Sequence, residues 1–233
     1  MATMYETIMS LPLFKGISRQ QVSTFLEKTH VQFINYNPGE RIVSVGDACT
    51  HIRYIISGEV VVTSNNYSGN LVIEEKRSTG TVLAPEYLFG MDRSYPFDVV
   101  AAGNVSVMQF SKEQYLALLQ SDSIYMINYL NYLSYHSQRP INAIKLMGDG
   151  SFESQLALWV MSLTDARSQS IRIKCTRDNL LQMTHVKLDE LLTSLAEMKS
   201  QQLIDFTDDE INIQSRHMLL DYVTNKLEQN IDN

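Results

Sequence analysis

The chain has 233 residues, 44% hydrophobic and 19% charged, with 10 Gly and 5 Pro. That leaves room for one large or two smaller domains with a sizeable core and excludes collagen-like and disordered classes. Nineteen Lys and Arg stand against 26 Asp and Glu, a net charge of −7, so the whole-molecule field repels phosphate and any nucleic-acid contact must be local.

The longest wholly apolar run, Leu156 to Met161, is too short to span a bilayer, and no secretory pattern is visible at the start. A cytoplasmic protein without a membrane partner is expected. Ser18 and Gln21 form a capping-box pattern, and Val22, Phe25 and Leu26 supply the apolar face of a short helix. From Gly39 to Gly103 a glycine recurs about every ten residues with β-branched runs between, the signature of short strands in a barrel or sandwich. The predicted strands are Arg41 to Val45, Ile52 to Ile56, Glu59 to Thr63, Leu71 to Glu75, Thr81 to Leu83, Asp98 to Ala102 and Val105 to Phe110. Ser111 and Gln114 repeat the capping device before a helix with Tyr115, Leu118 and Leu119 on one side.

A longer helical pattern runs from Ser123 towards Met147. Met126, Leu130 and Leu133 recur at steps of four and three, and Ile144 and Met147 resume the series, the seam of two helices packed in parallel. A homodimer contact through Met126, Leu130, Leu133 and Ile144 is expected, with packing on its own barrel as the alternative. Pro140 is expected to kink or interrupt this helix. Gly148-Asp149-Gly150 marks a boundary, which divides the chain into residues 1–122, a helix over 123–147, and 148–233. Beyond it Ser151 caps a helix, Ile171-Arg172-Ile173 alternates like a strand, residues 177–202 read as two helices, and Leu203 to Ile213 as a hairpin. Helices followed by a small hairpin suggest a winged helix.

Three strings carry a resemblance: Leu11-Pro12-Leu13-Phe14-Lys15-Gly16-Ile17-Ser18, then Asn37-Pro38-Gly39-Glu40 with Gly46-Asp47, then Tyr54 through Val62 with Ser57-Gly58-Glu59. They resemble the cyclic-nucleotide-binding-domain pattern. Ile171-Arg172-Ile173-Lys174-Cys175-Thr176-Arg177, on to Gln202-Leu203-Ile204, is similar without a gap to the helix-turn-helix segment of the Crp/Fnr family of bacterial transcription regulators. The two in this order imply an α+β chain: a cupin-like double-stranded β-helix sensor, a long dimerisation helix and a C-terminal winged helix-turn-helix. They also imply the partners: a second copy, a palindromic site on double-stranded DNA, a small-molecule effector and RNA polymerase.

The resemblance places the phosphate cassette over Gly80 to Ala102. Ala84-Pro85 stand where nucleotide-binding members carry Gly-Glu, and Tyr95-Pro96 where they carry Arg-Ser. Losing that Arg removes a bidentate grip on phosphate, and each Pro deletes a backbone donor. Pro140 and Ile141 fall where the family faces adenine and offer no side-chain hydrogen bond. Cyclic AMP is therefore not the expected ligand. Glu86 and Arg93 lie within two residues of the lost positions and could restore some chemistry through a shifted loop. Gly80, Ala84, Pro85, Glu86, Arg93, Tyr95 and Pro96 are the pocket candidates.

In the reader segment the resemblance puts Thr176 and Arg177 at the DNA backbone, and Lys187, Leu188, Asp189, Glu190 and Thr193 at the exposed start of the recognition helix. Leu191, Leu192 and Leu195 are its expected buried side. Residues 176–204 carry a net charge of −1, and the hairpin adds Asp205, Asp208, Asp209 and Glu210 without a cation. The favourable strip is Arg167, Arg172, Lys174 and Arg177, able to make a few phosphate contacts per subunit if they share a face. Cys49 and Cys175 form no ligand pair, the five His show no metal spacing, and no nucleophile–base pair or phosphate loop occurs. No catalytic residue, metal or cofactor is expected, and a cupin-type enzyme ranks last. The expected function is a homodimeric DNA-binding regulator sensing a small molecule other than cyclic AMP. The alternative is a sensor or protein-interaction module that keeps the fold with weak or no DNA binding.

Overall fold

The computed structural model describes residues 4–146, 150–168 and 170–231. Met147, Gly148 and Asp149, which carry the end of the predicted seam and the predicted punctuation, lie outside the described residues. The chain divides into two compact units. One is built from residues up to Val62 together with Arg77–His136, the other from Thr63–Lys76 together with residues from Ser137 onward.

In the first unit α1 (Met4–Ser10) and a 3-10 turn (Pro12–Phe14) precede α2 (Arg19–Lys28). The reciprocal Ser18–Gln21 capping box is formed as predicted. The strands follow in order: β1 (Gln32–Tyr36), β2 (Arg41–Val43), β3 (His51–Ser57), β4 (Glu59–Asn65), β5 (Val72–Ser78), β6 (Val82–Leu83), β7 (Asp98–Ala101) and β8 (Val105–Ser111). One antiparallel sheet has the order β1-β8-β3-β6, and β2, β7 and the first half of β4 form a second. β1 is absent from the sequence prediction. Residues from both sheets share a core that includes Val43, Ile55, Val60, Leu83, Val99 and Val107.

Gly58 closes the β3–β4 turn with φ +90°, where a Cβ would lie 2.3 Å from the Asn104 carbonyl oxygen, so no other residue fits without displacing backbone. Phe14 and Phe25 pack against Tyr54, Phe110 and Tyr125, which seats the N-terminal helices on the sandwich. α3 (Lys112–Ser121), capped by Ser111 and Gln114, leads into α4 (Ser123–Ile144). α4 is uninterrupted at Pro140.

The second unit holds α5 (Phe152–Leu163), β9 (Ser170–Lys174), α6 (Arg177–Thr184), α7 (Leu188–Ser200), β10 (Ile204–Phe206), β11 (Glu210–Ile213) and α8 (Arg216–Ile231). Ser151 caps α5 through the Ser154 N–H. Arg139 donates to the Met161 and Thr164 carbonyls at the other end, supplying charge-assisted bonds to acceptors the helix leaves open. β9 is a central strand, paired with β11 on one edge and, through residues 72–76, with β5 on the other. Ile73, Ile173 and Ile211 stand side by side on the buried face, joined by Leu71, Ile171, Ile213 and the apolar sides of α5, α7 and α8. The outer half of the β4–β5 hairpin thus belongs to the core of the second unit. Among the described residues, no helix is long and apolar enough to cross a membrane.

Candidate functional site

In the first unit the cassette positions are filled by the protein itself. Val82–Leu83 leads into Ala84 at φ 43°, a left-handed conformation that a residue with a Cβ adopts at a cost of about 1 kcal/mol. Glycine would stand there without strain, and Ala84 occupies the position where the resemblance expects it. Gly80, Ala84, Pro85 and Tyr95 are buried, while Glu86, Arg93 and Pro96 are exposed. The Pro85 carbonyl accepts a 3.0 Å hydrogen bond from the Tyr129 hydroxyl of α4. Phe89, Tyr115 and Tyr129 stack edge and face around that contact.

Tyr95 is 1% exposed, and burial pushes its phenol well above its ordinary pKa, so it is neutral at every physiological pH. Its oxygen accepts from Arg53 Nη1, and Arg53 Nε donates to Gln109 Oε1 at 2.8 Å. Gln109 in turn donates to Gln32 at 2.8 Å. Arg53 and Gln109 were not singled out from the sequence. The available signal is a cation among the apolar residues of Ile52-Arg53-Tyr54-Ile55. Beside this network a cleft of about 500 Å³ is lined by Cys49, His51, Arg93, Ser94, Lys112 and Glu113, among others. Arg93 is therefore at a cleft mouth rather than in a buried phosphate cradle. Burial raises the Cys49 thiol pKa, leaving a protonated, poorly nucleophilic sulfur.

On α4 two of the four predicted seam residues are partly covered and two are open. Met126 and Leu133 pack against the sandwich core, whereas Leu130 and Ile144 are 55% and 61% exposed. The exposed series is Ile127, Leu130, Ser134, Ser137, Ile141 and Ile144, at alternating steps of three and four. One residue is about 100° around a helix, so this series shares Leu130 and Ile144 with the predicted one and is rotated from it by roughly 45° on average.

In the second unit, Thr176 caps α6 through the Asn179 N–H. His185 ends α6 at φ 57°, the left-handed turn that lets α7 start in a new direction. Lys187, Leu188, Asp189, Glu190 and Thr193 are all exposed at the start of α7, and Leu191, Leu195 and Met198 are buried. Leu192, expected on the buried side, is 38% exposed. It lies one turn beyond Leu188 on the same outward stripe. Asp189 and Glu190 suit the positive end of the α7 dipole, and Glu190 accepts from the Lys187 N–H at 3.2 Å. Their presence thus has a folding reason that owes nothing to a ligand.

Each of five cations near this surface has a carboxylate within 4.0 Å. Lys174 meets Glu74 at 2.6 Å, and Arg172 lies 3.8 Å from both Glu74 and Glu210. Arg177 pairs with Asp208 of the β10–β11 turn, Lys187 with Glu190 at 3.9 Å, and Lys199 with Asp205 at 2.8 Å. Arg172 and Lys174 share the outward face of β9, as the alternation predicts. The partner on β5, Glu74, has no local sequence signal.

The comparisons bear on this arrangement. Residues 33–122, less than half of the chain, match the family described as Cyclic nucleotide-binding domain. No curated protein matches. The solved catabolite activator protein of Thermus thermophilus is similar over 92% of this chain and 99% of its own, at 15% identity and a TM-score of 0.52. The sensor domain of the transcriptional regulator DNR from Pseudomonas aeruginosa is similar over 58% of this chain and 89% of its own, at 22% identity and a TM-score of 0.49. Over nearly its whole length, then, the chain has the fold of a catabolite activator protein, with a cyclic-nucleotide-binding type of sandwich in its first half.

Proposed function

We propose that the chain is a homodimeric, DNA-binding transcription regulator of Crp/Fnr type whose effector is a small molecule other than cyclic AMP. The observation that carries this is the presentation of α7. A capped α6, a left-handed turn at His185 and the buried Leu191, Leu195 and Met198 hold α7 with its N-terminal residues outward, and the β10–β11 hairpin follows it in the chain. On this reading α6 and α7 with the hairpin form a winged helix-turn-helix, in which the second helix enters the major groove. On the same reading Thr193 and Lys187 reach base edges, and Thr176, Arg177, Arg172 and Lys174 reach phosphates. The likeness to a catabolite activator protein supports the same reading.

Dimerisation runs through the exposed Ile127, Leu130, Ile141 and Ile144 seam of α4, since parallel helices with apolar a and d positions bury them against each other. The effector meets Arg53, Tyr95 and Gln109 or the Arg93 cleft instead of a phosphate cradle, and acts by different affinity for two dimer states. Titration with cyclic AMP gives no heat on this reading, and tight binding refutes it.

The five paired cations favour one second reading, an interaction module with little DNA affinity, because phosphates must displace carboxylates. Selection of genomic fragments at low and at moderate salt separates the two. A regulator enriches a palindrome with salt-dependent retention, whereas an interaction module enriches none.

A further inference from the structure

We infer that residues 63–76 are a detachable strand that locks the DNA-contacting edge of the second unit, with Glu74 in the place a DNA phosphate would take. The inference rests on the DNA-binding reading above and adds its regulation.

Four observations meet at this hairpin. Val72 to Lys76 pair antiparallel with Lys174 to Ser170, so β9 has no open edge. Ile73 is buried beside Ile173 in the core. Glu75, on the same inward face, is 2% exposed and accepts from the Asp165 N–H at 2.8 Å and from the Ser168 hydroxyl. Glu74, on the opposite face, is bonded to Lys174 at 2.6 Å and lies 3.8 Å from Arg172.

Glu74 and a DNA phosphate compete for the same N–H donors, because a carboxylate and a phosphate take a Lys or Arg through the same charge-assisted geometry. Asp165, Ser168, Arg172 and Lys174 all lie just before α6, so the hairpin holds the whole approach to the helix-turn-helix. Its two ends, Val62 and Arg77, belong to the first unit. A ligand-induced change in the β4–β5 base is therefore carried covalently into the strand that holds these cations. The docked hairpin is the low-affinity state.

The test uses the full chain and a random-sequence DNA duplex. Glu74→Gln keeps the side chain's size and removes its charge. It is expected to raise affinity about tenfold at moderate salt and to steepen the dependence of log K on log salt by about one to two phosphate contacts per protomer. A staple made by Lys76→Cys with Ser170→Cys, positions directly paired in register, is expected to bind about tenfold more weakly oxidised than reduced, with the wild type unaffected by oxidation.

If Glu74→Gln and the staple leave affinity unchanged while Arg172→Ala and Lys174→Ala lower it, the protein binds DNA and the lock is refuted. If wild type, Glu74→Gln and the reduced staple all fail to retain DNA at low salt, the DNA-binding reading falls and the lock with it. Exchange of the Val72–Lys76 amides gives a second readout. They lose protection in the DNA complex if the strand detaches, and unchanged protection there overturns the inference.

Discussion

Replacing Ile73 with Ala tests where the β4–β5 hairpin is anchored. Ile73 is 1% exposed, lies between β-branched neighbours on β9 and contributes to the core of the second unit although it is encoded amid the strands of the first. Truncating a fully buried Ile to Ala removes its transfer free energy and leaves a cavity, about 3 kcal/mol for a well-packed site. That is roughly a hundredfold increase in the opening equilibrium of the unit that holds it. Val72→Ala, on the same strand but the partly exposed face, costs well under 1 kcal/mol by the same reasoning. Hydrogen exchange of the full chain reads the outcome. Ile73→Ala is expected to speed exchange at Ile171, Ile173, Ile211 and Ile213 and to leave the β3 and β8 amides protected. Loss of protection confined to β3 and β8 refutes the assignment of residues 63–76 to the second unit.

Leu130→Asp is expected to give monomers in sedimentation without lowering stability much, whereas Met126→Ala is expected to destabilise the sandwich and leave the oligomeric state alone; the reverse pattern rejects the exposed seam. Ala84→Gly and His185→Gly each relieve a left-handed backbone, at φ 43° and 57°. Each is expected to stabilise by about 0.5–1 kcal/mol and to raise Tm by about 2 °C in a melting scan, offset in part by added freedom in the unfolded chain. Burial pushes the Cys175 thiol pKa up to about 11 and raises that of Cys49. At pH 8 only about one Cys175 in a thousand is thiolate, so a thiol reagent should label neither cysteine until denaturant is added, and fast labelling of the native protein refutes their burial.

Much of the fold is legible locally. Gly58 had to be a glycine, the two Ser/Gln capping boxes announce α2 and α3, and Ile171-Arg172-Ile173 alternates as the strand it is. β1 escaped because Gln32-Phe33-Ile34-Asn35-Tyr36 alternates weakly and no glycine precedes it. The hairpin's second role escaped because pairing between β5 and β9 is set by distant residues meeting. One sign was present: in Leu71-Val72-Ile73-Glu74-Glu75 the inward set ends on a carboxylate, and an inward Glu in a strand needs donors from elsewhere. On α4 the predicted seam combines Leu130 and Ile144 of the open stripe with Met126 and Leu133 of the side packed on the sandwich, because the apolar sides of that helix adjoin and periodicity does not rank them. In the cassette the loss of the Gly-Glu and Arg-Ser pairs could be read directly, but what fills the space could not, since Arg53 reaches Tyr95 from a different strand.

The Arg177–Asp208 pair puts the electrostatics of the proposed DNA binding to a specific test. Asp208 lies at the turn of the acidic hairpin, and its backbone carbonyl also accepts from the Arg177 N–H at 3.0 Å, so the turn is fixed by a bond that a side-chain change leaves in place. A phosphate that recruits Arg177 sets the Asp208 carboxylate free, and the freed carboxylate gathers a cation from solution. Salt dependence then falls below the roughly 0.9 per contact expected from cations that start unpaired. Asp208→Asn removes that exchange. It is expected to raise affinity a few-fold and steepen the salt slope by about one contact per protomer, while Arg177→Ala lowers both across all sequences. The pair is exposed, so its own contribution to stability is small and the melting temperature of Asp208→Asn should hardly move. If Asp208→Asn instead weakens binding with stability unchanged, the acidic hairpin assists the contact, and the account in which DNA must displace carboxylates fails.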